Sequence, residues 1–239
     1  MPERDRLLAD ADRACRLRTG VRAAWRRLWR KHVLRLSATA ARVVKRSVDV
    51  AFSAAAIVVL SPLFACIAAA IYAGDHGPVL FWQRRVGLWG REFDFPKFRS
   101  MCLDAEARKA ALLASNDHVE GVTFKMRADP RVTPVGRVLR RFSLDELPQL
   151  WCVLRGQMSL VGPRPPVPSE VALYSLSDRR RLDAVPGLTC LWQVAGRGEV
   201  PFSRQVEMDV DYIRRQSLGE DLRLMLRTIP AVLGGRGAY

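Results

Sequence analysis

The feature that most constrains this chain is a run of 24 residues without a charge, 50–73, which reads VAFSAAAIVVLSPLFACIAAAIYA. As a helix the run would be about 36 Å long, enough to cross the hydrocarbon core of a bilayer. Ser61-Pro62 lies at its middle, where proline removes a helical hydrogen bond and clashes with the preceding turn, at about 3 kcal/mol. The run therefore predicts a membrane segment that is interrupted at its centre.

Basic residues flank this run on both sides. Because cytoplasmic loops are enriched in lysine and arginine, both flanks favour the cytoplasm. A helix–break–helix over residues 47–74, entering one leaflet and returning, satisfies both the charges and the proline. A kinked helix that spans the membrane and a buried helix of a soluble protein remain open alternatives. The flanking residues are Arg42, Lys45 and Arg46 before the run, and Arg84, Arg85 and Arg91 after it.

Residues 1–46 form a basic arm. They hold 14 lysines and arginines against 4 acidic residues, and so supply +10 of the net charge of +15. Apolar residues from Val21 to Leu36 recur at near-helical spacing between arginines, which is typical of an amphipathic helix on an anionic membrane, where each basic side chain contributes about 1 kcal/mol. A solvated tail or a contact with nucleic acid is the alternative interpretation. The overall charge indicates an anionic partner: a phosphorylated substrate, a lipid surface or nucleic acid.

Residues 75–239 are predicted to form a cytosolic catalytic domain. The sequence GPVLFWQRRVGLWGREFDFPKFRSM indicates a β-hairpin around Gly87 and Gly90, and the rest alternates short helices with Pro- and Gly-rich loops. A last helix over 203–232 is expected to break near 217–219. The five cysteines are scattered without a CxxC, which favours a reducing cytosol, and the three histidines are too dispersed for a metal site. The fold class is thus α+β and mainly helical, with a small hairpin and a monotopic membrane segment.

Two adjacent carboxylates, Asp145 and Glu146, occur in the stretch RRFSLDELPQLWCVLRGQMSLVGPRP. Ser143 and Glu146 fit a capping box, but Pro148 would then be the fifth helical residue, where it is unfavourable. Pro148 fits better at the first helical position of PQLWCVLR, with Gly156 as the stop. The carboxylates would then precede a helix whose positive end helps to keep a carboxylate ionised. That state is required of a carboxylate nucleophile or a Mg²⁺ ligand.

Eight basic residues lie near Pro or Gly turns or in short polar loops of this part of the chain. Arginine binds phosphate oxygens bidentately, and rigid turns hold the guanidinium in place, most clearly in GPRP. Any one of them is as easily a solvated surface charge. Together they predict an anionic substrate at a membrane surface and a phosphoryl transfer. The eight are Lys97, Arg99, Arg131, Arg137, Arg140, Arg141, Arg164 and Arg197.

Over residues 45–239 the chain resembles the bacterial sugar transferases of the monotopic phosphoglycosyl transferase family. The resemblance is carried, in order, by KRSVD, the apolar run with Ser61-Pro62, GPVLFWQRRVG, KFRSM, DPRVTPVGRVLRRFSLDELPQLWCVLRGQMSLVGPRP, PGLT, LWQVAGR, MDVDYI and GAY. Departures are modest: Ser100, Cys152, Val185 and Cys190 stand where Thr, Asn, a basic residue and Gly are usual. The motifs LWQVAGR and GAY are similar to exopolysaccharide-type members that often use glucose or galactose.

This resemblance implies transfer of a sugar 1-phosphate from a UDP-sugar to undecaprenyl phosphate at the inner leaflet of the cytoplasmic membrane, with release of UMP. Asp145 would be the nucleophile that carries a phosphosugar intermediate, assisted by Glu146, and Mg²⁺ would neutralise the diphosphate and contact Asp145. The catalytic domain would face the cytoplasm. The residues expected to line the substrate site are Lys97, Arg99, Arg140, Arg164, Arg197 and Asp209.

Two other functions were weighed against this one. A nucleic-acid-binding protein would account for the charge but not for the uncharged run, and nucleic acid is not expected as a partner. A membrane adaptor with a lapsed active site would account for the run but not for the complete block from Asp145 to Arg164. The oligomeric state is not indicated by any sequence feature.

Overall fold

The computed structural model describes residues 3–112, 126, 129–196 and 200–234, with side chains described from residue 39 onward except 109–112. The chain divides into two compact units, 1–45 and 46–239. The first unit is helical, and the side chains that carry the amphipathic pattern predicted for it lie outside the described residues. The predicted separation of residues 47–74 from residues 75–239 stays a prediction.

The first helix, α1 (Glu3–Asp75), contains the uncharged run. Among the described residues, the segment Thr39–Asp75 of α1 is the one helical segment that is long enough and apolar enough to cross a membrane. The helix continues through Pro62, so the predicted break of the helix at Ser61-Pro62 is not confirmed. The Ser61 hydroxyl donates a 2.8 Å hydrogen bond to the carbonyl of Val58, the group that loses its usual partner because Pro62 has no N–H. The re-entrant path itself stays a prediction.

The part of α1 that belongs to the second unit, residues 46–75, packs one of its sides against the rest of that unit over the length of the uncharged run. Ser53, Ile67 and Ile71 are buried, and their spacing places them on one helix face with the partly buried Ile57 and Phe64. The opposite face exposes large apolar side chains to the surroundings. Unpartnered apolar surface on this scale is typical of a membrane contact. The exposed residues of the run are Val50, Phe52, Val58, Val59, Leu63 and Tyr72.

Both ends of this packed segment are held by polar contacts. At the first end, Arg46 donates to the carbonyls of Val153 and Leu154 at 2.5 and 2.8 Å. One turn later the Asp49 carboxylate accepts from the backbone N–H of Leu160 at 3.2 Å. At the other end, Asp75 forms an ion pair with Arg99. The same unit therefore binds the segment before and after its uncharged run.

A two-stranded antiparallel hairpin follows, with β1 (Leu80–Val86) paired to β2 (Glu92–Phe98). Gly87 and Gly90 bracket its turn, as predicted, and Gly90 has a φ of 79°. Register pairs Phe81 with Lys97 and Arg85 with Phe93. Because strand residues alternate between faces, Arg85 and Lys97 project from the same face of the hairpin.

The remaining elements are short helices around a second, parallel strand pair, β3 (Ser159–Val161) with β4 (Gly187–Thr189). This pair was not predicted from the sequence. A Cβ on Gly187 would lie 2.0 Å from the backbone nitrogen of Gly162, so the two chains meet at a distance that only glycine permits. The helices are α2 (Ala105–Leu112), α3 (Pro134–Arg141), α4 (Leu150–Arg155), α5 (Pro168–Val171), α6 (Leu191–Ala195), α7 (Phe202–Arg215) and α8 (Leu218–Gly234), with 3₁₀ turns at Leu88–Gly90, Leu144–Gln149 and Asp178–Asp183.

The main core joins the hairpin to the helices behind it. Phe95 from β2, Val153 from α4, Val161 from β3 and Leu224 from α8 are 0 to 1% exposed and belong to one cluster. The mainly helical α+β class is confirmed, as is the small hairpin. The predicted break in the last helix is confirmed as well: α7 ends at Arg215 and α8 begins at Leu218.

Candidate active site

The two carboxylates lie on a 3₁₀ turn that connects α3 to α4. Ser143 opens this turn in the left-handed region, with a φ of 54°, and its side chain makes no capping hydrogen bond. The capping box is therefore not formed, as Pro148 indicated. The α-helix begins at Leu150 rather than at Pro148, because residues 144–149 form the 3₁₀ helix, and it ends at Gly156, as predicted, with a φ of 80°.

Glu146 is bound by two cations from distant parts of the chain. Its Oε1 accepts from Nζ of Lys97 at 3.3 Å and from Nη2 of Arg164 at 2.8 Å, and its Oε2 accepts from Nη1 of Arg164 at 3.4 Å. Burial alone would raise the pKa of Glu146, but Arg164 and then Lys97 lower it well below its usual value. Glu146 is therefore ionised at neutral pH and fixes both cations at one place.

The carboxylate of Asp145, the residue just before Glu146, has a different environment. Asp145 is 8% exposed, and no hydrogen bond or ion pair joins its carboxylate to any side chain or backbone group of the described chain. Burial, and then the charge of Glu146, raise the pKa of Asp145, while Lys97, Arg140 and Arg164 lower it in part. The positive N-terminal end of the following helix was expected to help keep this carboxylate ionised. The pKa of Asp145 is instead raised.

Arg140 approaches Asp145 from the last turn of α3. Its Nε donates to the Ser100 hydroxyl at 3.0 Å, which fixes the side chain just after β2. Burial lowers the pKa of Arg140, and Asp145 raises it in part, so the two groups are within electrostatic reach. Gly136 makes this packing possible, since a Cβ there would lie 1.9 Å from the carbonyl oxygen of Ser100.

Arg85 belongs to this cluster and was not predicted as a site residue. Its Nη1 donates to the carbonyl of Pro165 at 2.8 Å, next to Arg164, and its guanidinium lies 5.2 Å from the ring centre of Phe95. Burial and the charge of Arg164 lower the pKa of Arg85 to about 10. The hairpin pattern carried the signal, because strand alternation places this arginine on the face that carries Lys97.

Lys97 is the most perturbed amine of the cluster. Its Nζ lies 5.3 Å from the ring centre of Phe95. Burial lowers the pKa of Lys97 to about 8, against the raising effect of Glu146. The lysine is protonated at neutral pH and begins to lose its charge in mildly alkaline solution.

Three other predicted site residues are not brought to the two carboxylates by a described contact. Arg99 pairs with Asp75 at the end of α1. Asp209 is 1% exposed and bonded at 2.5 Å to Arg181, and burial raises the pKa of Asp209 to about 6 although Arg181 lowers it in part. Arg197 lies outside the described residues. Arg131, one of the eight loop cations, is bound by Asp129.

The cluster can accommodate Mg²⁺ without forming a cage of protein ligands. Within the described residues no group of three or more His, Cys, Asp or Glu side chains could hold a metal. Mg²⁺ is commonly held by one or two carboxylates together with substrate phosphates. Asp145 fits that role because its carboxylate has no described partner, whereas Glu146 is engaged by Lys97 and Arg164.

The sequence pattern of the bacterial sugar transferases matches residues 40–235, which include both carboxylates and all their described partners. The chain belongs to this family. It is therefore an enzyme, a sugar transferase, and the resemblance noted in the sequence is confirmed.

Several named relatives agree with this assignment. The exopolysaccharide production protein ExoY of Sinorhizobium fredii is 42% identical over 82% of this chain and 88% of its own length. The UDP-glucose:undecaprenyl-phosphate glucose-1-phosphate transferase of Caulobacter vibrioides is 42% identical over 82% of this chain and 72% of its own length. The undecaprenyl-phosphate galactose phosphotransferase of Salmonella typhimurium is 39% identical over 85% of this chain, which spans 43% of that protein.

Proposed function

We propose that this sugar transferase moves a sugar 1-phosphate from a UDP-sugar to undecaprenyl phosphate and releases UMP, as a membrane step of exopolysaccharide or glycoconjugate synthesis. The observation that carries the proposal is the unpartnered carboxylate of Asp145 beside cations that Glu146 holds in place. A buried nucleophile among fixed cations is the arrangement that phosphoryl transfer between anions requires. The names of the Caulobacter and Salmonella relatives support the choice of substrates.

The transfer would proceed in two displacements at the same phosphorus. In the first, an oxygen of Asp145 bonds to the β-phosphorus of the UDP-sugar, and the bond from that phosphorus to the bridging oxygen breaks, so that UMP leaves with the bridging oxygen. In the second, an oxygen of undecaprenyl phosphate bonds to the phosphorus, and Asp145 leaves as a carboxylate. Two steps allow a soluble nucleotide and a membrane lipid to use one site in turn.

The other residues of the cluster have distinct roles. Arg164 and Lys97 bind phosphate oxygens, and the turn formed by the flanking prolines holds Arg164 in position. Glu146, ionised by these cations, holds Arg164 and Lys97 in position to bind the phosphate oxygens. Arg140 lowers the negative charge around Asp145. Asp145 would hold Mg²⁺, which supplies charge neutralisation of the diphosphate when bound.

The membrane segment would be re-entrant, with the active site on the cytoplasmic side. Support comes from the basic residues on both sides of the uncharged run, because flanks rich in lysine and arginine favour the cytoplasm. Both flanks lie on the cytoplasmic side only if the segment enters and leaves by the same membrane surface.

The test is UMP release by the detergent-purified protein, supplied with undecaprenyl phosphate, Mg²⁺ and a panel of UDP-sugars that begins with UDP-glucose and UDP-galactose. The Asp145→Asn variant keeps the side-chain shape and removes the nucleophile, so we expect no UMP from it. Asp211→Asn is the matched control, because Asp211 is half exposed and makes only a 3.9 Å ion pair with Arg214. No UMP with any sugar from folded protein would contradict the proposal.

A further inference from the structure

Phe81 is an exposed aromatic residue on the hairpin face that carries Lys97 and Arg85. It is 37% exposed, and its position in β1 pairs directly with Lys97 in β2. Directly opposed residues of an antiparallel pair place their Cβ atoms about 4.5–5.5 Å apart on the same face of the sheet. The amine of Lys97 in turn lies 3.3 Å from the carboxylate of Glu146. Phe81 therefore borders the active site, although the proposed transfer assigns it no role.

The other residues of this face are engaged by one another. Phe95 is 1% exposed, and its ring centre lies 5.2 and 5.3 Å from the charged groups of Arg85 and Lys97. Gln83 accepts from Nε and Nη2 of Arg85 at 3.1 and 2.7 Å. Gln83 and Arg85 are half-buried, whereas Phe81 presents exposed apolar surface at the margin of the site. An apolar ring in this position can bind a ligand by packing against it but offers it no hydrogen bond.

The Phe81 end of the hairpin packs against the last turns of the uncharged run. Leu80, the residue before Phe81, contacts a buried cluster that includes Ile67 and Ile71 of α1. Both isoleucines belong to the run, which ends at residue 73 and whose opposite face is exposed and apolar. Phe81 is therefore held beside the place where the chain leaves the run.

A second contact ties the same end of the hairpin to this place. Asp75 lies two residues beyond the run, and it forms an ion pair with Arg99, which follows Lys97 by two residues. The cation that binds Glu146 is thereby positioned near the end of the apolar segment. If the run lies in the membrane, Lys97 and Phe81 lie at the membrane surface.

This position favours a lipid as the partner of Phe81. A polyprenyl phosphate carries its phosphate at the membrane surface and its hydrocarbon within the leaflet. At that surface Lys97 can bind the phosphate, and the ring of Phe81 can cover the first carbons of the chain. A nucleotide approaches from water, and the polar edge of its base would need hydrogen-bond partners that a phenyl ring does not supply.

We propose that the ring of Phe81 packs against the isoprene unit of undecaprenyl phosphate that bears the phosphate, while Lys97 binds the phosphate itself. This inference rests on the proposed function for the identity of the acceptor. It assigns the acceptor to the hairpin edge beside the uncharged run. Phe81 then acts in the second displacement, where the lipid attacks, and not in the first.

A kinetic comparison of the two displacements tests this role in the detergent-purified protein. UMP released without acceptor reports the first displacement, and kcat/KM for undecaprenyl phosphate reports the second. Phe81→Ala should release this initial UMP at the normal rate and lower kcat/KM for the lipid about tenfold or more. Phe81→Leu keeps an apolar side chain and should restore most of the loss. Trp82→Ala is the matched control and should change neither value, because Trp82 is 55% exposed and projects from the opposite face of the same strand.

A photocrosslink identifies the ligand without requiring turnover. Benzoylphenylalanine is introduced at position 81 of the full chain, and at position 82 as the control. Each protein is irradiated in phosphatidylglycerol vesicles that contain undecaprenyl phosphate, with UDP-glucose in the surrounding buffer, and the adducts are identified by mass spectrometry. At position 81 we expect an adduct with undecaprenyl phosphate that exceeds both the adduct with phosphatidylglycerol and the adducts at position 82.

The outcomes separate this inference from the proposed function. A slower initial release of UMP in Phe81→Ala with an unchanged kcat/KM for the lipid, or an adduct with UDP-glucose at position 81, would overturn the inference and place the nucleotide on this ring. Equal adducts at the two positions, or a predominant adduct with phosphatidylglycerol, would overturn it too, because the ring would then contact the membrane in general. A specific adduct with undecaprenyl phosphate in a protein that releases no UMP would support the lipid site and remove the proposed reaction.

Discussion

Asp145 and Glu146 share one turn but have opposite electrostatic environments. Two cations bind Glu146 and hold it ionised, whereas Asp145 is buried beside that charge without a described partner, so that its pKa is raised. Neighbouring carboxylates whose pKa values are driven apart are suited to different chemical tasks. The ionised Glu146 organises the cations, and Asp145, which has no described partner, is available for the proposed bond to phosphorus.

The pH dependence of kcat/KM should reflect Asp145 and Lys97. Activity is expected to rise as pH increases through the raised pKa of Asp145, since only the carboxylate attacks, and to fall above about 8, where Lys97 loses its proton. Lys97→Arg keeps the positive charge at alkaline pH, so the alkaline fall should disappear. A pH profile of UMP release at low substrate concentration measures both limbs, and an unchanged alkaline limb in the variant would refute the role of Lys97.

Gly136 should be intolerant of any side chain, because a Cβ would overlap the carbonyl of Ser100. We expect Gly136→Ala to destabilise the protein by about 1–3 kcal/mol or more and to displace Arg140, which depends on Ser100 for its position. The control is Gly219→Ala, also in a helix, where no atom lies within 4 Å of the added Cβ. That change should be neutral or stabilising by about 0.5–1 kcal/mol. Thermal unfolding of both variants decides the comparison.

At the scale of elements, Ser61 and Pro62 act as a pair within α1. Pro62 removes the N–H that would bind Val58, and the Ser61 hydroxyl replaces it. The hydroxyl thereby satisfies a carbonyl that would cost free energy if left without a partner in an apolar setting. The pair permits a local distortion without opening the helix.

A double-mutant cycle should reveal this dependence. Ser61→Ala is expected to cost about 1–3 kcal/mol when Pro62 is present, because the Val58 carbonyl is left unpaired. In a Pro62→Ala background the restored N–H binds that carbonyl, so the same change should cost close to nothing. The coupling is measured from unfolding midpoints in one detergent. Equal costs in the two backgrounds would show that the hydroxyl has no compensating role.

The local elements of this fold follow from local sequence, and the long-range contacts do not. Short strand-like segments around Gly87 and Gly90 predicted the hairpin, and Ser217–Gly219 predicted the boundary between the last two helices. The parallel pair β3–β4 was missed because each strand has only three residues, which is too short to show a clear alternation of polar and apolar side chains. Arg99 was expected at the substrate, yet its contact with Asp75 depends on where α1 ends in space, which spacing along the chain does not reveal.

At the scale of the whole molecule, the basic residues on both sides of the uncharged run predict a topology in which both flanks face the cytoplasm. Single cysteines introduced at Thr39 and His76, in a chain whose native cysteines are replaced, flank the run on either side. On the re-entrant path both should react with a membrane-impermeant maleimide in inverted vesicles, and neither in intact spheroplasts. A helix that crosses the membrane would instead expose one cysteine to each side. As the control, the maleimide labelling of each cysteine is compared with its labelling in the denatured protein.

A membrane segment that enters and leaves the bilayer by the same membrane surface adds volume to one leaflet only. On the proposed re-entrant path, the exposed face of residues 50–73 would displace lipid tails in the cytoplasmic monolayer and none in the opposite monolayer. Such an insertion acts as a wedge, so its affinity depends on the bending of the membrane and on the lateral packing of its lipids. Each copy would expand the area of the cytoplasmic monolayer, and a patch crowded with this transferase would curve toward the cytoplasm.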